Sequence, residues 1–170
     1  MGRTNNNDTE GQFEITRRHL PHWTLKGAIY FVTFRTDSKT DKNVCPTLSV
    51  EEQKLVLKHI INGNEKFYTL ISAIVMPDHI HMLLTPMGGY SLSRIMKGIK
   101  GVSARRLNLK RGTSGSIWQE ESFDRIIRNQ NELDEKLSYM LNNPAKRGLT
   151  ESPWDYHGWY FNDGRSDIPV

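Results

Sequence analysis

The chain has 170 residues, 36% hydrophobic and 25% charged, a composition ordinary for a soluble globular chain and long enough to bury one core without staples. Its single cysteine, Cys45, cannot close an internal disulfide, so nothing points to an oxidising compartment. No apolar run approaches the roughly 18 residues of a membrane span, and the formal charge of +4 is compatible with a polyanionic partner without requiring one.

Residues 1–12 read as a polar, disordered lead without the apolar core of a signal peptide. Asn6 breaks the myristoylation pattern that Gly2 begins, so a cytoplasmic location is expected. Residues 13–161 read as a single domain and 162–170 as a polar tail. Phe13 to Leu25 reads as an irregular segment, with His19 and His22 as surface or satisfied residues. Ala28 to Arg35, AIYFVTFR, is rich in β-branched and aromatic residues and predicts a strand. Ser49 with Glu52 three residues later is a capping box, and Gly63 a stop. Together they predict a helix to about Asn62 with Leu55, Val56, Leu57 and Ile60 on its buried side.

Phe67 to Met76 and Asp78 to Leu84 predict two antiparallel strands joined at Pro77. Between them lies the most informative stretch, AIVMPDHIHMLLTP. Strand side chains alternate, so His79, His81 and Leu83 share one face while Ile80, Met82 and Leu84 share the other. Two neutral imidazoles side by side suit a divalent metal. A solvated sheet face that carries two histidines by chance fits the same spacing.

From Ser91 a second helix places Leu92, Ile95, Met96, Ile99 and Val102 on one stripe and basic residues on the opposite side. No acid interrupts the chain between Arg94 and Arg111, and Arg94, Lys97, Lys100 and Arg105 are the candidate nucleic-acid contacts; a merely soluble helix face is the alternative. After a flexible linker, Gly112 to Ser116, the stretch Ile117 to Ile127 predicts a fourth strand. Asn129 with Glu132 opens a third helix that Pro144 is expected to end. Leu133, Leu137, Met140 and Leu141 form its apolar stripe. Tyr139 and Asn143, four apart, lie together on a different side, where an interfacial tyrosine with its hydroxyl in water is the plain alternative. Arg125 and Arg128 are either DNA contacts or sheet-edge ion-pair partners. The order strand, helix, strand, strand, helix, strand predicts an α+β fold, a ferredoxin-like antiparallel sheet with both helices on one face, followed by the additional C-terminal helix.

Four stretches in this order, MPDHIHMLLTP, SLSRIMKGIKGVSARRLN, WQEESFDRIIRN and LSYMLNNPAKRGL, resemble the REP-associated tyrosine transposases, a branch of the single-tyrosine HUH endonucleases that includes insertion-sequence transposases. The likeness runs from about Ala28 to Trp154. It implies that Tyr139 is the nucleophile, that His79, His81 and Asn143 hold a divalent metal, magnesium or manganese, and that the substrate is single-stranded DNA at hairpins of repetitive extragenic type. The implied chemistry is cleavage and rejoining through a 5′-phosphotyrosine link, by a monomer or a homodimer, in association with the nucleoid. Ala145, Lys146 and Thr150 depart from the family's NPVRAGLV-like stretch just beyond the implied ligands. Two other classes fit the residues: a catalytically silent single-stranded nucleic-acid module on the same fold, and a metal-dependent hydrolase using the histidine pair.

Overall fold

Alternation along one strand divides the molecule into two sides. In the computed structural model, which describes residues 27–37 and 47–163, the first strand β1 (Tyr30–Arg35) is followed by helix α1 (Val50–Asn62), strands β2 (Tyr68–Val75) and β3 (His79–Pro86), and helix α2 (Leu92–Arg111). Then come β4 (Phe123–Ile126), α3 (Gln130–Lys146), a short 3₁₀ turn at Pro153–Asp155 and β5 (Trp159–Phe161). The five strands form one sheet in the order β4-β1-β3-β2-β5, antiparallel throughout. The first four strands have the expected ferredoxin-like order. Residues 1–12, the segment with His19 and His22, Cys45 and residues 164–170 lie outside the described residues. Among the described residues, no helix is long and apolar enough to cross a membrane.

Ile80, Met82 and Leu84 of β3 point to one side and join Val32, Phe34 and Leu70 in a core covered by Val56, Leu57 and Ile60 of α1 and Ile95, Met96, Ile99 and Leu107 of α2. Most of these side chains are completely buried, each contributing about 1.5–3 kcal/mol of hydrophobic stabilisation. The other side carries a second core. There Leu83 joins Phe31, Ile71, Ile74 and Met76 under Leu133, Leu137 and Met140 of α3. Both predicted helices thus lie on one face, and the additional helix covers part of the other.

The structure differs from the sequence expectations in four places. The fourth strand is Phe123–Ile126 rather than the longer Ile117 to Ile127: Trp118 makes only an isolated bridge to Thr36 and its indole donates to Ser103 Oγ at 2.9 Å, which sends Ile117 and Trp118 into the first core, while 119–121 form an exposed loop before the strand. Val102 is 42% exposed, and Ser103 and Leu107 take the buried positions of α2. α3 runs through Pro144 to Lys146. Proline removes one intrahelical donor, but the turn is closed from beyond it, by Arg147 N–H to the Asn143 and Pro144 carbonyls and by Leu149 N–H to Pro144 O at 2.9 Å, with Gly148 in the left-handed region at φ 67° ending the helix. Finally, the aromatic stretch Trp159–Phe161 is a fifth strand paired with β2.

Helix ends are tied across the first core. Ser49 and Glu52 form the expected capping box, with Ser49 N–H donating to Glu52 Oε2 at 2.8 Å. Arg111 at the end of α2 grips the same carboxylate with Nε at 2.6 Å and Nη2 at 2.9 Å. The Arg111 guanidinium holds this nearly buried carboxyl below the usual carboxylate range. A depressed folded-state pKa means that the contribution is present above the unfolded value of about 4.3 and lost as pH falls through the folded one. Glu52→Gln is therefore expected to lower stability by about 2 kcal/mol at pH 7. In urea unfolding, the gap between wild type and variant should shrink progressively below about pH 4.

Candidate active site

The second face of β3 holds two imidazoles, each engaged at Nδ1. His79 Nδ1 lies 2.8 Å from Asp78 Oδ1. A carboxylate only accepts, so Nδ1 carries the proton and Nε2 keeps its lone pair. Asp78 also accepts from Arg147 Nη1 at 2.6 Å, which leaves it anchored from both sides. His81 is held by register: Thr33 stands directly across from it on β1, and Thr33 Oγ1 lies 2.7 Å from His81 Nδ1. The Phe31 ring stacks on His81 with centroids 5.4 Å apart. With Nδ1 engaged, His81 Nε2 is buried without a hydrogen-bond partner. Such an orphaned buried ring nitrogen is expensive unless something completes it.

Burial disfavours a charge on either ring. It pushes His81 down to about 3, with His79, Arg35 and Lys136 adding repulsion. It also lowers His79, outweighing the opposing pull of Asp78. Both imidazoles are therefore neutral at physiological pH, the form that ligates metal.

α3 brings the remaining groups. Asn129 caps it, its Oδ1 accepting from Glu132 N–H at 2.9 Å. The apolar stripe then seats the helix on the histidine side of the sheet. Tyr139, off that stripe as expected, is 47% exposed and sets its ring against His81 at 5.3 Å between centroids. One turn later, Asn143 places its Nδ2 3.2 Å from His79 Nε2. His79, His81, Tyr139 and Asn143, far apart in sequence, thus meet at one place.

The donor set fits a hard or borderline divalent cation. The two imidazole rings lie 4.7 Å apart between centroids, both with Nδ1 engaged, and the Asn143 amide, turned about its bond, would present Oδ1 beside His79 Nε2. Among the described residues there is no cluster of three His, Cys, Asp or Glu, so the amide oxygen is essential to any three-ligand set.

The basic residues are distributed differently. Arg94, Lys97 and Arg105 are exposed on α2, across the sheet from Tyr139. Lys100 is turned inward, its Nζ donating to Glu120 O at 2.7 Å and Ser122 Oγ at 3.1 Å, so it pins the 119–122 loop. Arg125 pairs with Glu132, tying β4 to α3, while Arg128 is exposed at the start of α3. The polar shell of Thr33, Asp78 and Arg147 was missed from sequence. Asp78 was legible as the neighbour of His79, but Thr33 becomes visible only through strand register.

Comparison with known proteins points the same way. A family model described as Transposase IS200 like matches residues 38–143. A REP-associated tyrosine transposase of Escherichia coli is 24% identical over 149 residues, covering 86% of this chain and 85% of that protein. A Haemophilus influenzae protein named as a candidate member of the same group is 25% identical over 155 residues, covering 84% and 85%. A solved structure of a REP-associated tyrosine transposase bound to a REP hairpin superposes with a TM-score of 0.57 at 20% identity, covering 80% of this chain and 78% of that one. With the family model spanning well over half of its length, the chain belongs to the IS200-like transposases, enzymes that cut and join DNA.

Proposed function

We propose that the protein cleaves and rejoins single-stranded DNA at hairpin elements of the repetitive extragenic type, with Tyr139 as nucleophile and a divalent cation, magnesium or manganese, held by His79, His81 and Asn143. The observation that carries this reading is the seating of the Tyr139 ring against His81, one turn before an amide in contact with His79. A core tyrosine has no need of half-exposure beside a neutral imidazole pair.

The Tyr139 hydroxyl attacks a backbone phosphorus. A bond forms between the phenolic oxygen and phosphorus, the bond from phosphorus to the 3′-oxygen breaks, and the phenolic proton leaves as the 3′-oxygen becomes a hydroxyl. The product is a 5′-phosphotyrosine link whose energy is retained for the reverse step onto another 3′-hydroxyl. The bound cation would polarise a nonbridging oxygen and stabilise the charge that gathers there. Asp78 and Thr33 fix which nitrogen of each imidazole faces that position, and the buried rings exclude water on the sheet side. The exposed residues Arg94, Lys97 and Arg105 of α2 are proposed contacts for the hairpin stem, and Arg128 for the region where stem and single strand meet; Lys100 and Arg125 serve there through the loop and the helix they hold. Their electrostatic contribution should fall as salt rises.

With manganese and a labelled hairpin oligonucleotide bearing a single-stranded foot, a covalent adduct is expected on a denaturing gel, absent in Tyr139→Phe. Retention of the adduct in that variant would remove Tyr139 from its role. Cleaved product without any covalent species would instead indicate hydrolysis by activated water.

The metal site makes a separate prediction. Thr33→Val removes the partner of His81 Nδ1 while preserving shape, so manganese affinity measured by electron paramagnetic resonance should weaken about 10–100-fold. His81→Ala should abolish measurable binding, and unchanged affinity in both variants would place the cation elsewhere.

A further inference from the structure

The face that carries the histidines extends beyond them. Strand register puts Thr33 and Arg35 of β1, and Phe123 of β4, on the same side as His79 and His81. Phe123 stands directly across from Thr33, whose hydroxyl meets His81, yet it is 60% exposed. A large ring held out on an edge strand contributes nothing to either core and exposes apolar area at a place where pairing with other chains is a hazard.

Two cations flank the same strip. Lys136 lies one turn before Tyr139, its ammonium 5.0 Å from the Phe31 ring centre and 6.0 Å from that of Tyr139. Arg35 is exposed and stands directly across from His79. Neither meets a carboxylate among the described residues, whereas Arg125 is committed to Glu132 and Arg147 to Asp78. From Phe31 to Arg35 the strand spans about 13 Å, so the two cations rise from opposite ends of the strip.

We propose that this strip is the track of the unpaired DNA strand through the active site, with Lys136 and Arg35 contacting backbone phosphates on either side of the reacting one and Phe123 stacking a base beside them. The proposal rests on the DNA-processing reading above and gives the single strand a binding surface of its own, on the opposite side of the sheet from the basic face of α2. Cations spaced along a backbone with an aromatic platform between them are what single-strand binding requires. The occupant is an unpaired strand rather than a duplex, because stacking on Phe123 needs a base whose face is open.

The test uses the full chain and a fluorescent oligodeoxythymidine, which forms no hairpin, with anisotropy read in EDTA so that metal affinity plays no part. Phe123→Ala and Phe123→Leu should each weaken binding about tenfold, while Phe123→Trp should bind like wild type, since a larger π face replaces the lost one. Lys136→Met and Arg35→Met should each reduce the slope of log affinity against log salt by about 0.7. Wild-type affinity in Phe123→Ala and Phe123→Leu, or an unaltered slope in both cation variants, would overturn the track. A hairpin oligonucleotide measured in parallel separates this outcome from a broader one: wild-type protein that binds neither hairpin nor oligodeoxythymidine would overturn the DNA reading itself.

Discussion

The docking of α3 across the sheet is the contact on which the site depends. Leu133, Leu137 and Met140 pack against Phe31, Ile71, Ile74 and Leu83, and that packing sets where Tyr139 and Asn143 stand relative to the histidines. A helix turns about 100° per residue, so a slip of one position would swing the phenol away from His81 and the amide away from His79. The polar contacts reinforce the apolar ones at both ends. Glu132 pairs with Arg125 of β4 near the start of the helix, and Arg147 grips Asp78 just past its end. Because Asp78 also fixes the tautomer of His79, the second clamp joins helix position to imidazole orientation.

The two sides of the sheet divide the work. Ile80, Met82 and Leu84 anchor β3 in a core closed by two helices, and the ends of those helices are tied by Arg111 and Glu52. That side holds the strand rigid. The alternate residues of the same strand then present chemistry to the other side without having to hold the strand in place. Precise side-chain placement for catalysis is best built on such a rigid element, with a polar shell around it. Thr33 and Asp78 are that shell, one supplied by strand register and the other by the turn.

Most of this was legible where local rules suffice. Alternation in DHIHMLL placed both imidazoles on one face, Ser49 and Glu52 marked the start of α1, and the position of Tyr139 off the apolar stripe of its helix separated it from the core residues. What sequence did not show was decided by tertiary contact. Pro144 reads as a stop, yet the helix closes around it because Arg147 and Leu149 supply donors from beyond it. Lys100 reads as a surface cation, yet loop carbonyls capture it. Trp159–Phe161 gains strand structure only because β2 offers an open edge. Sidedness was also hidden: the basic residues of α2 and Tyr139, the proposed nucleophile, lie on opposite faces of the sheet, and no periodicity within either helix encodes that.

The electrostatics of the site follow from the neutrality of its donors. Two uncharged imidazoles and an amide would bring no negative charge to a dication, and Arg35 and Lys136 add positive potential around them, opposed chiefly by Asp78. A cation seated there would keep most of its charge, unlike one bound by several carboxylates, and would be repelled by its surroundings until an anion arrived. A backbone phosphate is such an anion. Its oxygens can complete the coordination sphere, and its charge offsets that of the flanking side chains. Each ligand would then favour the other's binding by the same factor, as linkage requires. An amide rather than a carboxylate as the proposed third ligand would therefore preserve, for the transition state, the positive charge that a more acidic metal site would have neutralised in advance.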